Sequence, residues 1–546
     1  MTTTLFQNGT VVDGSGFDAF KGSVLIEKDK IVSVIKEGES LPQAETTIDA
    51  QGLVIAPGFI DMHSHADWLL PTPDHPRHLA CMLEQGITTV VGGNCGFSPA
   101  PILPESVENV GNLETLATIA IAEKFDYQWK TMGEYLEKVR EMNPAVNLAE
   151  LVGHASIRYN AAETLRGQMT DRELERCLDQ TRQALDEGAC GLSFGLGYDP
   201  GMYSPLDELD AFCSVAAEAN KPVTVHLKAL SKISPTYPLT TWGAHNVRSL
   251  KEMLDVARRT GCKLQLSHFI FVGRNSWSTA PRCLEMVEKA REEGVDVKID
   301  AFPYTCGNTF ISVPFPYWFL ADMKNNLNNK VARMRLRLEF GIGLKLVGFV
   351  YKDFQVMDVA VPGWEDLNGL RVSEIAEKWN KSEFETMLTL TEKSGGAALM
   401  LFHTYSGEPE NEKVLESVLT NENCLFETDV VVKGSGYPNP AGIGNFPRIL
   451  GKYVREKKLF SLENAVRRMT SASAERFGLT DVGQIKPGMA ADLVLFDPEK
   501  ISDSPGVGRE PDGQPKGIHS VYINGLQAVK EGNYIEDVRN GRIMSV

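Results

Sequence analysis

The chain lacks any uninterrupted apolar run long enough to span a bilayer, which excludes a transmembrane helix from the expected elements. Its opening residues, MTTTLFQNGTVVDG, contain no basic segment followed by an apolar one, so no secretory leader is expected. Cations are in short supply. Lys and Arg number 55 against 72 Asp and Glu, a formal charge of −17, and that balance argues against nucleic acid and anionic membrane surfaces as partners. Cysteines are few, odd in number at nine and scattered, which fits a reducing cytoplasm better than a disulfide framework. A Gly-x-Gly-x-x-Gly turn after the first strand is also missing, which counts against an open dinucleotide-binding sheet. What remains is a globular composition, 42% hydrophobic and 23% charged, in 546 residues. That length exceeds one ordinary domain and can bury a large core.

Both ends of the chain read as short strands. TLFQNGTVVDG, GSVLIEKDKIVSVI and TTIDAQGLVIAP alternate apolar and polar residues around Asn-Gly, Asp-Gly and Lys-Asp turns. GQIKPGMAADLVLFDPEKI and GIHSVYINGLQAVKEGNYI have the same texture. Residues 1–56 with 481–546 are therefore expected to build one small β-sandwich domain. In residues 57–480 apolar runs alternate with amphipathic helical stretches. The strand candidates are GFIDMHSH, TTVVGGNC, LAELVGHASIR, GACGLSFGL, PVTVHLK, KLQLSHF, VDVKIDAFPY and CLFETDV. Eight such units predict an α/β fold, a parallel (β/α)8 barrel of the TIM type. Residues 307–396 form an insertion between the seventh and eighth strands, with FPYWFLADMKNN and the basic MRLRLEFGIGLK in it. A long loop at that face of a barrel more often walls or lids a site than merely connects.

The polar residues at the strand ends carry the functional argument. The first strand offers His63 and His65, the second Cys95, the fifth His226, the sixth His268 and the eighth Asp429. In a barrel these ends converge on one face, where barrel active sites are built, and each residue is a competent ligand for zinc or a similar cation. Taken singly, each has a bland reading: a core histidine, a buried thiol, a capping carboxylate. Six ligand-type residues at one end of five strands are a poor fit to independent accidents. His154 in LVGHASIR is as readily structural as supporting; His403 in LFHTYSG is a weaker candidate; His75 and His78 read as loop or helix-start residues, and His245 and His519 have no assignable partner.

The segments GFIDMHSHAD, GITTVVGGNCGFSPAP, GLSFGLGYDPGMYS, SHF, DAFPYT and MTSASAERFGLTDVGQIKPGMAADLVLFDP resemble the N-acyl-D-amino-acid deacylases, or D-aminoacylases, of the amidohydrolase superfamily. The resemblance runs nearly end to end, weakest in the insertion and from Gly434 to Phe446. NCGFSPAP is its most specific element; the tail motif marks the superfamily. It implies a barrel with a small β domain, and one or two Zn2+ ions per chain held with a cysteine where relatives use a carboxylated lysine. Carried over, Cys95, His226 and His268 correspond to the tight zinc site, and His63, His65 and Asp429 to the second position.

Such a site hydrolyses an amide with activated water, Asp429 serving as general base. A nucleophilic Cys95 is the rival mechanism, disfavoured because a zinc-bound thiolate has its lone pair engaged and no His–Asn pair is evident beside it. The substrate is a small amide. Two cations that the family uses on a substrate carboxylate are absent: Ile270 stands where SHHK-like runs carry lysine, and no His-Pro-Arg segment follows Asp429. Burying a carboxylate without a cation costs several kcal/mol, so substrate recognition is expected to differ. Lys228, Arg158, Arg274 and Lys433 are the replacement cations, Lys228 foremost; Tyr198, Tyr203 and Tyr304 are pocket walls or oxyanion donors. A cyclic-amide hydrolase of the hydantoinase or dihydroorotase kind is the alternative, and a silent ligand-binding barrel a weaker one. Composition leaves a homo-oligomer open.

Overall fold

The computed structural model describes residues 3–103, 129–238, 240–320, 322–432, 436–503 and 514–546. Lys433 lies outside them. At the centre stand eight parallel strands in sequential order: Phe59–Asp61, Ile87–Gly92, Asn147–Gly153, Gly191–Gly195, Pro222–His226, Lys263–Leu266, Val297–Ala301 and Cys424–Phe426. Their side chains are buried almost throughout, as continuous apolar runs such as TTVVG and PVTV require when helices cover the outside. The helix Asp171–Asp186 is typical of that outer layer. Thr170 and Glu173 form a capping box at its start, and Cys177, Leu178, Thr181, Ala184 and Leu185 turn inward.

The first and last strands are joined by side-chain and loop bonds. The Asp61 carboxylate accepts from Thr428 N at 2.9 Å and from Thr428 Oγ1 at 2.6 Å. Just beyond, Asp429 N donates to His63 O at 3.0 Å. The ring therefore closes where His63 and Asp429 emerge. Several strands are shorter than expected: the first ends at Asp61, and LAELVG gives way to a helix at His154–Ala161. The ligand-type residues of the first, second, sixth and eighth strands consequently sit in turns past the strand ends. Cys95 (φ 55°), His268 (φ 31°) and Asp429 (φ 49°) all adopt left-handed backbone, a conformation unfavourable for L-residues that persists where the surroundings enforce it.

Strands from both chain ends make one nine-stranded mixed sheet. Thr3–Val11, Phe20–Glu27, Lys30–Lys36, Thr46–Asp49 and Val54–Pro57 come from the front, and Leu493–Phe496, Ile518–Ile523, Leu526–Lys530 and Asn533–Tyr534 from the back. The two halves meet where Leu493–Phe496 pairs with Val54–Pro57. The excursion between the seventh and eighth barrel strands has its own architecture, an antiparallel sheet of Cys306–Phe310, Leu399–His403 and Phe354–Asp358 with helices around it. It reaches past the expected end at residue 396. Among the described residues no helix is long and apolar enough to cross a membrane.

A polar knot ties the terminal sheet to the barrel. Buried Asp492 accepts from Asn524 N at 2.6 Å and from Asn147 Nδ2 at 2.8 Å, and Asn524 Nδ2 donates to Asn147 Oδ1 at 2.9 Å. Asp492→Ala leaves those buried donors without an acceptor and is expected to cost about 2–4 kcal/mol. Urea denaturation measures it; a loss below about 0.5 kcal/mol, the ordinary surface range, would show that the knot carries no stability.

Candidate metal centre

Cys95 sits in a turn after the second strand, pressed against the end of the fourth. Gly96 N donates to Ser193 Oγ at 3.0 Å, and a Cβ at Gly195 would lie 1.9 Å from Cys95 O. That close packing fixes where the sulfur points. Three imidazoles surround it: His63 Nε2 at 3.4 Å, His268 Nε2 at 3.6 Å and His226 Nδ1 at 3.7 Å. His226 Nδ1 and His268 Nε2 are 2.8 Å apart. The His226 ring lies over Gly197, where a Cβ would come within 2.7 Å of Nε2, and against the Tyr198 ring at 4.4 Å. Asp429 completes the group, its Oδ1 3.4 Å from His63 Nε2 and 3.5 Å from His65 Nε2. Ligand atoms of His63, Cys95, His268 and Asp429 all fall within 4.8 Å of one another.

The electrostatics match the geometry. Burial pushes His63 and His226 well below the ordinary histidine range and His268 below it too, against the opposing pull of Asp429. These rings are neutral at pH 7, with lone pairs to offer. His65 is the exception: burial lowers it, but its hydrogen bond and charge contact with Asp429 raise it overall. Burial and the nearby carboxylates Asp429, Glu427 and Asp300 push the Cys95 thiol up. Burial would raise Asp429 as well, but His268, His65 and His63 outweigh it and hold the carboxyl below the usual range. The donor chemistry fits a borderline divalent cation. A tetrahedral zinc with bonds of about 2.1 Å to nitrogen and 2.3 Å to sulfur sets those atoms about 3.6 Å apart, against the observed 3.4–3.7 Å.

Three interior carboxylates lie beneath this group, none singled out by the strand-end reading. Asp300 accepts His268 N at 2.6 Å and Gln265 Nε2 at 2.7 Å, and its Oδ1 is 3.9 Å from His63 Nδ1. Glu427 is fully buried with no hydrogen-bond partner on either oxygen, and it clusters with His63 and Asp300. Asp61 closes the barrel. Burial raises Asp61 and Asp300 to about 7 and Glu427 well above the usual range. The sequence does not set them apart from other acids beside apolar runs: Asp300 follows VKI, and Glu427 lies just past the strand Cys424–Phe426.

Other candidates are spoken for elsewhere. His154 bonds Glu208 at 2.7 Å between Phe194 and Phe212. His403 pairs with Gln355, His75 with Thr72 O, His245 with Ser234 and His519 with Ser520. Arg158 departs from the substrate-binding expectation. It is wholly buried and donates to Ser204, Glu208, Thr164 O and Gly167 O, which leaves its guanidinium engaged within the protein. Arg274 is likewise taken by Asp353 and Glu408. Tyr304 carries its hydroxyl 3.3 Å from Asp503, beneath the Arg448 guanidinium. Tyr203 lies in a short turn at Gly201–Tyr203, and Lys228 is half-buried with its ammonium over the Tyr237 ring at 5.5 Å.

A family profile described as "Amidohydrolase family" matches residues 46–311 and 426–525. The D-aminoacylase of Alcaligenes xylosoxydans xylosoxydans is 30% identical over 528 residues, covering 96% of this chain and 94% of that protein. The N-acyl-D-glutamate deacylase of Bordetella bronchiseptica, solved with zinc and a phosphonate mimic of the tetrahedral intermediate, superposes with a TM-score of 0.81 at 26% identity, over 100% of this chain and 99% of that one. A D-aminoacylase structure described for its binuclear metal centre gives 0.80 at 27%, with the same coverage. On sequence and architecture together, the chain belongs to the amidohydrolase family.

Proposed function

We propose that this protein is a zinc-dependent hydrolase of a carbon–nitrogen amide bond, related to the D-aminoacylases but with altered substrate recognition. The observation that carries the reading is the Cys95 sulfur with three neutral imidazoles around it and an ionised carboxylate beside them. Cys95, His226 and His268 would hold the first ion, and His63, His65 and Asp429 would support a second. When bound, the cation supplies Lewis acidity to the scissile carbonyl and to the attacking water.

The chain's own groups do the proton work. Asp429 Oδ1 takes one proton from water as the oxygen attacks the carbonyl carbon, and returns it to the leaving nitrogen as the C–N bond breaks. The products are a carboxylic acid and an amine. The surrounding histidines keep Asp429 ionised for this role. Tyr198, whose hydroxyl burial holds protonated, stands over His226 as a wall and a donor for the developing oxyanion; Tyr203 and Tyr304 are proposed as further wall.

The substrate reading rests on charge. Ile270, buried just past His268, offers a carboxylate nothing. Arg158 and Arg274 are engaged, and burial lowers the Lys228 ammonium's pKa, Glu252 only partly opposing it. The amide that fits best carries no free carboxylate beside the scissile bond.

Three results test this. Asp429→Asn should retain bound zinc by elemental analysis while kcat falls about 10²–10⁴-fold; near-normal turnover would end the general-base assignment. Removal of metal with a chelator should abolish activity, and zinc should restore it in the wild type but not in Cys95→Ala; full activity in chelated, ion-free protein would refute the metal reading. On a panel of amides, substrates without a carboxylate should exceed N-acyl-D-amino acids in kcat/KM, and Ile270→Lys should raise kcat/KM for the latter by at least about tenfold, one favourable charge contact. Efficient turnover of N-acyl-D-amino acids by the wild type would contradict the altered recognition.

A further inference from the structure

The inserted helix Lys330–Val347 is apolar on two opposite faces. Leu336, Phe340 and Leu344 are buried, with Phe340 stacked on Phe315 at 5.1 Å. On the far side Val331, Met334, Leu338, Ile342 and Leu346 repeat at helical spacing and are 43–70% exposed. Among the described residues nothing covers that second stripe. The side chains amount to on the order of 500 Å², the upper end for the largest apolar patch on a monomer.

The pattern of the stripe selects the occupant. It is nearly symmetric about Leu338, with Met334 and Ile342 four residues to either side and Val331 and Leu346 seven and eight away. An antiparallel copy of the same helix, related by a two-fold axis at Leu338, sets Met334 against Ile342 of the second copy and Val331 against its Leu346. Self-complementarity of this kind is what an isologous dimer contact requires. The same axis brings Arg335 to within about 3 Å, measured along the helix, of Glu339 of the second copy; within one chain these two already pair at 2.7 Å. Two stripes bury about 1,000 Å² together, and the Arg335 and Lys345 stems carry the total toward the roughly 1,200 Å² at which specific dimers begin.

We infer that the exposed face of the Lys330–Val347 helix is the contact between two copies of this chain, packed antiparallel about Leu338. This goes beyond the proposed chemistry and stands or falls separately from it. The helix is anchored at the barrel mouth, since Asn275 Nδ2 donates to Lys345 O and Leu346 O and Arg274 Nη1 to Gly348 O, all on the loop that follows His268. The dimer would thus join two molecules by their site-bearing ends.

Sedimentation equilibrium of the full chain at micromolar concentrations tests this. The wild type should be dimeric and Leu338→Glu at least tenfold weaker in self-association, with its far-UV circular dichroism unchanged. Leu338→Cys places one thiol on the axis and should oxidise to a covalent dimer that the wild type, whose cysteines are mostly buried, does not form under the same oxidant. A monomer at all concentrations, or a dimer indifferent to Leu338→Glu and uncrosslinked by Leu338→Cys, overturns the inference. So would a monomer that floats with vesicles of anionic and zwitterionic phospholipid unless Leu338 is replaced by Glu, since that result assigns the face to lipid.

Discussion

The arrangement of this protein depends on one crowded contact: the Cys95 sulfur lies 3.4–3.7 Å from nitrogen atoms of three histidines on three other segments of the barrel. Each group reaches it from the end of a different strand, so the contact exists only if the strands are in register and the ring is closed. Closure is local to the same place. Asp61 holds Thr428, and the next residue, Asp429, bonds back to the backbone of His63. Folding energy from the buried strands is thus spent at the mouth on left-handed backbone at Cys95, His268 and Asp429.

Burial sets the chemistry of those groups before any cation is considered. It neutralises the His63, His226 and His268 imidazoles and keeps the Cys95 thiol protonated, while the histidines around Asp429, His65 hydrogen-bonded to it among them, keep that carboxylate charged. A cation that takes up the sulfur as thiolate would relieve the one group that burial disfavours most in its bound form. Asp61 and Asp300, each raised to about 7, carry part of a negative charge beneath, which favours a cation in the group above them, whereas burial holds Glu427 protonated.

Much of this was legible in the sequence. Buried parallel strands read as continuous apolar runs, and six ligand-type residues at their ends point to one face because the topology converges them there. Less legible was everything that depends on three dimensions at short range. His63 and His65 lie past the strand end at Asp61, and the turn there, which a strand pattern does not describe, brings their rings to 5.5 Å. Glu427 and Asp300 escaped notice because an acidic residue inside an apolar run signals nothing until its neighbours are known. Arg158 has the same sequence environment whether it meets substrate or Glu208; only the fold assigns it to the latter. The insertion read as a loop because its antiparallel partners, such as Cys306 and His403, are far apart along the chain.

The most direct test of the account is X-ray absorption at the zinc edge of the purified, zinc-loaded protein. The account predicts one sulfur scatterer at about 2.3 Å together with nitrogen or oxygen scatterers near 2.0–2.1 Å, the sulfur shell vanishing in Cys95→Ser. A bound zinc with no sulfur in its first shell, or a sulfur shell that survives the loss of Cys95, would contradict it.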